Sequence, residues 1–258
     1  MLAVIGGSGL YELEAMEDVR REPISSSWGD ASDLISRGRI GTTPVLFLPR
    51  HARGHSIAPH RINYRANLDG LRQAGATKII AVAAVGGIAP ECEPGALVLP
   101  HQLIDYTSGR GATFFERPGD PVTHVDFTYP YDPELRRQIS EAALALRLPV
   151  IVGGVYGCTN GPRLETAAEI ARLARDGCTL VGMTGMPEAI LARELGMAYA
   201  CLAVVVNPAA GLAPDGREVS IEEIHQTLAR CTGIVGRLLV QLCSAASSSD
   251  SKSSRDRG

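Results

Sequence analysis

The sequence lacks most of the patterns that assign a chemistry at sight. Its six cysteines, Cys92, Cys158, Cys178, Cys201, Cys231 and Cys243, form no CxxC pair and no metal-like spacing with histidine. They read as reduced, mostly buried thiols of a cytoplasmic protein. There is no HExxH and no nucleophile elbow, and GGSGLYE lacks the third glycine of the dinucleotide fingerprint. No metal and no nicotinamide cofactor are therefore expected. Basic residues are not in excess: the net charge is −3, which offers no general attraction to nucleic acid or to an anionic membrane. No apolar run reaches the roughly 18 residues of a membrane span. The opening MLAVIGGSG has no charged leader and reads as a first strand rather than a signal peptide. No internal repeat is present.

What is present suits one α/β domain. The chain has 258 residues, 45% of them hydrophobic, and 28 glycines. No linker interrupts residues 1–243. Residues 244–258, SAASSSDSKSSRDRG, form a polar low-complexity tail that is expected to be disordered.

The stretch from Thr179 to Gly211 organises the rest. Leu180 to Met183 reads as a strand feeding a Gly/Thr turn. Pro187 falls in a first helical turn, Ala189, Ile190, Ala192 and Leu195 form a stripe, and Gly196 stops the helix. Tyr199 to Val206 is apolar without alternation, so both faces should be buried, and it runs into Asn207. Ligands of open α/β sheets bind beyond the carboxyl ends of the strands. The strand ends at Met183-Thr184 and Asn207 should converge on one site.

Other strand ends add to it. Leu2 to Ile5 ends in Gly6-Gly7-Ser8-Gly9, where backbone N–H groups and the Ser8 hydroxyl could cradle an anion; a plain turn after an edge strand is the alternative. Val45 to Leu48 delivers the basic run Arg50, His51, Arg53, His55, His60, Arg61. An anion is its natural partner, a solvated loop the bland reading, and a zinc site the weakest, because the arginines repel a cation. Lys78 to Val85 ends near Ala83, Ala84, Gly86 and Gly87, small enough for close backbone approach to a ligand.

Between these, Asn63 to Gly75 predicts an amphipathic helix with Ala66, Leu68 and Leu71 inward. Ala96 to Leu99 and Val150 to Val155 predict strands, and Asp132-Pro133 caps a helix to about Leu146. Residues 24–43 look like surface hairpin. Residues 106–131 make a loop too long for a passive connector, and so a lid or a subunit contact carrying His124. Glu165 stands at the start of a further helix, where the dipole favours an acid. Ser220 and Glu223 read as a capping box for a last helix ending near Cys243.

Ser8, Arg50-His51, Ala83-Ala84 and Thr184 together describe a phosphate or sulfate pocket. Asn207 and Glu165 could then read a planar polar ring. An enzyme acting on phosphate and a ring compound follows; a non-catalytic nucleoside- or phosphate-binding protein is the competing class.

The segments IGGSGL, LPRHARGHSIAP with INYRAN, GPRLET, GMTGMPE and VVVN together resemble the trimeric purine nucleoside phosphorylase family, in its methylthioadenosine phosphorylase branch, over roughly residues 2–240. The resemblance implies a three-layer α/β/α fold with a central mixed, partly barrel-like sheet. It implies phosphorolysis, with inorganic phosphate as co-substrate and no cofactor. It implies a homotrimer, with His124 entering a neighbour's sugar pocket. By position it places phosphate contacts on Ser8, Arg50, His51, Ala84 and Thr184, with Arg53 and His55 near them, Ala83 beside Ala84, and Met183 against the sugar. Ser8, His55 and Asn207 are the expected catalytic residues.

The departures are informative. The methylthioadenosine branch carries two aspartates where this chain has Asn207 and Ala209. Asn207 and Glu165 instead resemble the 6-oxopurine phosphorylases. A site built to pair polar groups rejects a ring that leaves them unpaired. At the sugar end, Ile221, flanked by Val219, replaces a histidine that would meet a 5′-hydroxyl, and an aliphatic wall suits a methylthio group. The expected substrate is 5′-methylthioinosine, giving hypoxanthine and 5-methylthioribose 1-phosphate. A broader 6-oxopurine nucleoside phosphorylase and a methylthioadenosine phosphorylase are the alternatives.

Overall fold

In chain order the strands are β1 Leu2–Gly6, β2 Glu17–Glu22, β3 Ile35–Ile40, β4 Thr43–Pro49, β5 Lys78–Gly87, β6 Leu97–Leu99, β7 Gln102–Asp105, β8 Val150–Val152, β9 Val155–Cys158, β10 Leu180–Gly182 and β11 Ala198–Pro208. The helices are α1 Tyr64–Gln73, α2 Pro133–Ala145, α3 Ala167–Arg175, α4 Gly185–Glu194 and α5 Ile221–Arg255. This is a computed structural model; it describes residues 1–23 and 25–255, with side chains as far as residue 245.

β1 is not an edge strand. It lies between β4 and β5 and runs parallel to both, so the turn after Gly6 opens at the middle of the sheet. β5 is the hub. Its first half pairs with β1, its whole length runs parallel to β11, and its last residues, Gly86 and Gly87, meet β10 antiparallel. From β10 the sheet continues through β9 to β7, while β11 continues through β6 to β8. β6 and β7 lie close along the chain, and their parallel partners β8 and β9 are likewise consecutive. The sheet is thus mixed and curls back towards β5.

Val150 to Val155 is two strands rather than one. Gly153 and Gly154, at φ of 137° and 104°, sit in a region closed to most side chains and turn the chain between them. β2 and β7 carry no strong alternation and escape a periodicity reading. β2, EDVRRE, is a charged and exposed edge, which discourages pairing with another sheet.

Alternation along β1 assigns the two faces. Ala3 and Ile5 pack with Leu68 and Leu71 of α1 and with Ala189, Leu191 and Ala192 of α4. Val4 packs on the other side with Leu135 and Ile139 of α2 and with Leu228, Val235, Leu238 and Leu242 of α5. Fully burying each such leucine is worth roughly 1.5–3 kcal/mol. The result is an α/β fold with helices on both faces of one mixed sheet.

The caps follow the sequence. The Asn63 side chain accepts from Ala66 N, Asp132 from Leu135 N, and Thr166 forms a reciprocal capping box with Glu169. At α5 only half a box forms. Ser220 Oγ accepts from Glu223 N at 3.3 Å, but the Glu223 carboxylate is taken by Arg217. α5 also runs past Cys243, where its end was expected, to Arg255; no Gly or Pro intervenes to stop it. Of the expected disordered tail, the side chains from 246 and all of residues 256–258 lie outside the described residues. Residues Ile221–Ala245 are long and apolar enough to cross a membrane by length and composition alone. Their apolar stripe covers the sheet instead.

Candidate active site

The turn after β1 and the loop after β4 are bonded together: Arg50 N donates to Gly6 O at 2.9 Å. A Cβ on Gly7 would lie 2.6 Å from Val82 O and 3.2 Å from Arg50 Nη1. Only glycine permits that closeness. The ends of β5, β10 and β11 complete a cavity of about 400 Å³. Among its lining residues are Ser8, Arg50, His51, His55, Ala83, Ala84, Glu165, Met183, Thr184, Asn207 and Ala209. The strand ends nominated by sequence are thus brought together.

Arg50 is the best-buried charge in the cavity wall, at 1% exposure. Its Nε and Nη2 donate to the two carboxylate oxygens of Glu188 at 2.6 and 2.8 Å, and Nη1 donates to Val82 O at 3.0 Å. Burial opposes its charge, but the Glu188 carboxylate outweighs burial and holds the guanidinium above its ordinary pKa. The fork expected to face an anion is therefore occupied by a carboxylate. What remains for a ligand is the outer N–H groups of an arginine already fixed in place. Glu188, fully buried and also bonded by the Tyr199 hydroxyl at 2.9 Å, is the residue that sequence reading missed. An acid inside the otherwise apolar PEAILA is the signal that could have found it.

His51 is 4% exposed, and its Nδ1 lies 2.9 Å from Ile57 O. A carbonyl only accepts, so Nδ1 carries the proton and Nε2 the lone pair. Burial, with Arg50 beside it, pushes its pKa down to about 4. The His55 ring lies 4.5 Å from that of His51, and burial lowers its pKa, with His225 adding to the effect. Ala52 and His55 both have positive φ, at 57° and 54°. Such non-glycine residues cost about 1–3 kcal/mol each and often mark functional loops.

At the other end, the Thr159 hydroxyl donates to Glu165 Oε1 at 2.6 Å. Asn207 Nδ2 donates to Pro208 O at 2.6 Å, so one of its two amide hydrogens is committed within the chain. Ala209 is 2% exposed.

Three expected site residues lie elsewhere. Arg53 is drawn to Asp33: its backbone N–H donates to the carboxylate at 3.2 Å and its guanidinium lies 3.8 Å away. Ile221, the first residue of α5, is 56% exposed and does not line the cavity. Val219, in the irregular stretch before the helix, and Ile224, in its first turn, supply apolar wall instead. His124 is exposed on the irregular 106–131 segment, away from the cavity of its own chain. Among the described residues no group of three His, Cys, Asp or Glu side chains is arranged to hold a metal ion.

A cavity that gathers a buried arginine, two histidines, hydroxyls, an acid and an amide at the strand ends of a mixed sheet marks an α/β protein with a polar, ligand-sized site. The chain belongs to the phosphorylase superfamily, whose family model matches residues 1–244. A Xanthomonas campestris pv. campestris protein named probable S-methyl-5′-thioinosine phosphorylase is 51% identical over 223 residues, covering 86% of this chain and 89% of that one. A Pyrococcus furiosus protein named 6-oxopurine nucleoside phosphorylase is 44% identical, covering 93% and 90%. A solved structure of Schistosoma mansoni methylthioadenosine phosphorylase in complex with adenine superposes with a TM-score of 0.91 at 28% identity, covering 96% and 92%.

Proposed function

We propose that this protein is a pentosyltransferase that cleaves 5′-methylthioinosine with inorganic phosphate, releasing hypoxanthine and 5-methylthioribose 1-phosphate. Phosphate lies between the turn at Ser8, Arg50-His51, the Ala83-Ala84 backbone and Thr184. The sugar lies over Met183 near His55, and the base between Glu165 and Asn207. A phosphate oxygen attacks the anomeric carbon as the bond to the purine nitrogen breaks. The electron pair goes to the leaving base, and a donor from Asn207 stabilises the charge that develops there. No cofactor beyond phosphate as co-substrate takes part.

The observation that carries the reading is Glu165, Asn207 and Ala209 in one cavity wall. An ionised Glu165 only accepts, and suits a base with a ring N–H, such as a 6-oxopurine. With Ala209 buried beside Asn207, that part of the wall offers no carboxylate to a 6-amino group. The relatives' names support the same choice of base. Val219 and Ile224 supply an apolar wall for the methylthio group. A panel of kcat/KM values over methylthioinosine, methylthioadenosine, inosine and guanosine tests it, and methylthioinosine is expected to lead. Preference for methylthioadenosine overturns the account of the base; equal use of inosine favours a broad 6-oxopurine phosphorylase. Base release without any dependence on phosphate, or no release at all, overturns phosphorolysis.

The same reading includes a cytoplasmic homotrimer in which His124 serves a neighbour. Val122, Tyr129 and Val152 are 84%, 67% and 57% exposed, which gives apolar area to cover. An active monomer by light scattering overturns it.

A further inference from the structure

Arg110 does not line the cavity, yet its guanidinium joins the two turns that do. Nη1 donates to Met183 O at 2.9 Å and to Met186 O at 2.5 Å. Nη2 donates to Asn160 O at 2.9 Å and approaches Thr159 O at 3.4 Å. Its face lies 5.5 Å from the centre of the Tyr64 ring, and its buried Nε has no partner among the described residues. Its contacts among the described residues are backbone carbonyls and a tyrosine, not a carboxylate. A cation held this way is poorly neutralised and tightly located. The planar fork fixes carbonyls on two sides at once, which an ammonium group cannot do.

The two turns carry different halves of the site. Thr159 and Asn160 follow β9, and the Thr159 hydroxyl holds Glu165. Met183 and Thr184 follow β10 and line the cavity, where the proposed function puts the sugar and the phosphate. Arg110 itself belongs to the 106–131 segment. That segment is docked by Thr113 and Phe114 on the Glu194 carboxylate, at 2.8 and 2.7 Å, and by Arg117 over Trp28 at 4.2 Å.

We infer that Arg110 is a positioning residue: it sets the spacing between the base end and the sugar–phosphate end of the cavity, and does so through the docked 106–131 segment. The inference rests on the site assignment proposed above. Displacement of a reacting group by an ångström costs about a hundredfold. Arg110→Ala should therefore lose about a hundredfold in nucleoside kcat/KM, and Arg110→Lys at least about tenfold, because one ammonium cannot reach both turns.

The test measures phosphate-dependent hypoxanthine release by the wild type and both variants, with and without added guanidinium ion. It also measures their melting temperatures and their calorimetric binding of hypoxanthine in phosphate buffer. Guanidinium at tens of millimolar should restore Arg110→Ala at least tenfold and leave the wild type unchanged, with both variants melting close to the wild type. Arg110→Lys with full activity overturns the inference. So does a loss in both variants that tracks a fallen melting temperature and that guanidinium does not restore. If Arg110→Ala does not fold, Arg110→Lys alone decides. Wild-type turnover reports separately on the proposed reaction: an inactive wild type overturns that reaction, and the variants' weakened or unchanged hypoxanthine binding still decides Arg110.

Discussion

Arg50 and Glu188, 138 positions apart, form a two-pronged ion pair at 2.6 and 2.8 Å with side chains 1% and 0% exposed. Removing one partner of such a pair leaves a buried charge without compensation, which costs about 3–5 kcal/mol. Glu188→Ala should lose stability of that order, and Arg50→Ala likewise. Arg50→Ala should also raise the phosphate KM at least tenfold, from roughly 1.5–3 kcal/mol of charge-assisted bonding. Chemical denaturation and phosphate titration of both single variants and the double variant check this. A double variant more stable than either single variant is expected. Unchanged phosphate dependence in Arg50→Ala would remove that residue from the site.

His51 makes stability pH-dependent in a defined window. Its pKa is about 4 in the folded chain and near the ordinary 6.5 in the unfolded one. Between those values the unfolded chain binds the extra proton, so stability rises with pH and is fully present above 6.5. Falling from there to pH 4 should cost on the order of 3 kcal/mol through this group. Denaturation curves at pH 4.5 and 7 should differ less in His51→Asn than in the wild type. An equal difference in both proteins sinks the assignment.

In the proposed reaction Asn207 acts where charge develops on the leaving base. Asn207→Ala should cut kcat by about 10²–10³ and raise KM less, because the interaction forms fully only in the transition state. Asn207→Asp with Ala209→Asp should move activity from methylthioinosine toward methylthioadenosine. The shift should stay partial until Glu165→Ser is added, since a carboxylate repels the bare N1 of adenine. Steady-state kinetics on the two nucleosides read the ratio, and a ratio that does not move refutes the scheme.

The 5′ wall should respond at Ile224 rather than Ile221. Ile224→Asn introduces a hydrogen-bonding group and should improve inosine relative to methylthioinosine by tens of fold, from about 1–3 kcal/mol per small group. Ile221→Asn, on an exposed position, should leave the ratio within about twofold. The opposite ranking would place Ile221 at the sugar.

Local residue chemistry dictated the elements and the kind of site. The buried runs at Lys78 to Val85 and Tyr199 to Val206 became β5 and β11, because an apolar stretch without alternation needs cover on both faces. Asn63 and Asp132 marked helix starts, because a cap acts within three residues of itself. Gly6-Gly7-Ser8, Arg50-His51, Thr184 and Asn207 each stand directly after a strand or at its end, so their convergence followed from the rule for α/β sheets.

How those groups are used depends on long-range packing. Nothing local says that Arg50 points its fork at Glu188, that Asp33 draws Arg53 away, or that Arg110 reaches back to Met183 and Asn160. Nor does helical spacing choose Ile224 over Ile221 for the cavity wall. Caps and periodicity are set by neighbours a few residues apart. Ion pairs and cavity walls are set by which strand ends the sheet order places side by side, over separations of up to 138 residues. A buried charge takes whichever opposite charge or carbonyl the packed backbone brings within about 3 Å, because leaving it unpaired costs more than any local preference can offset.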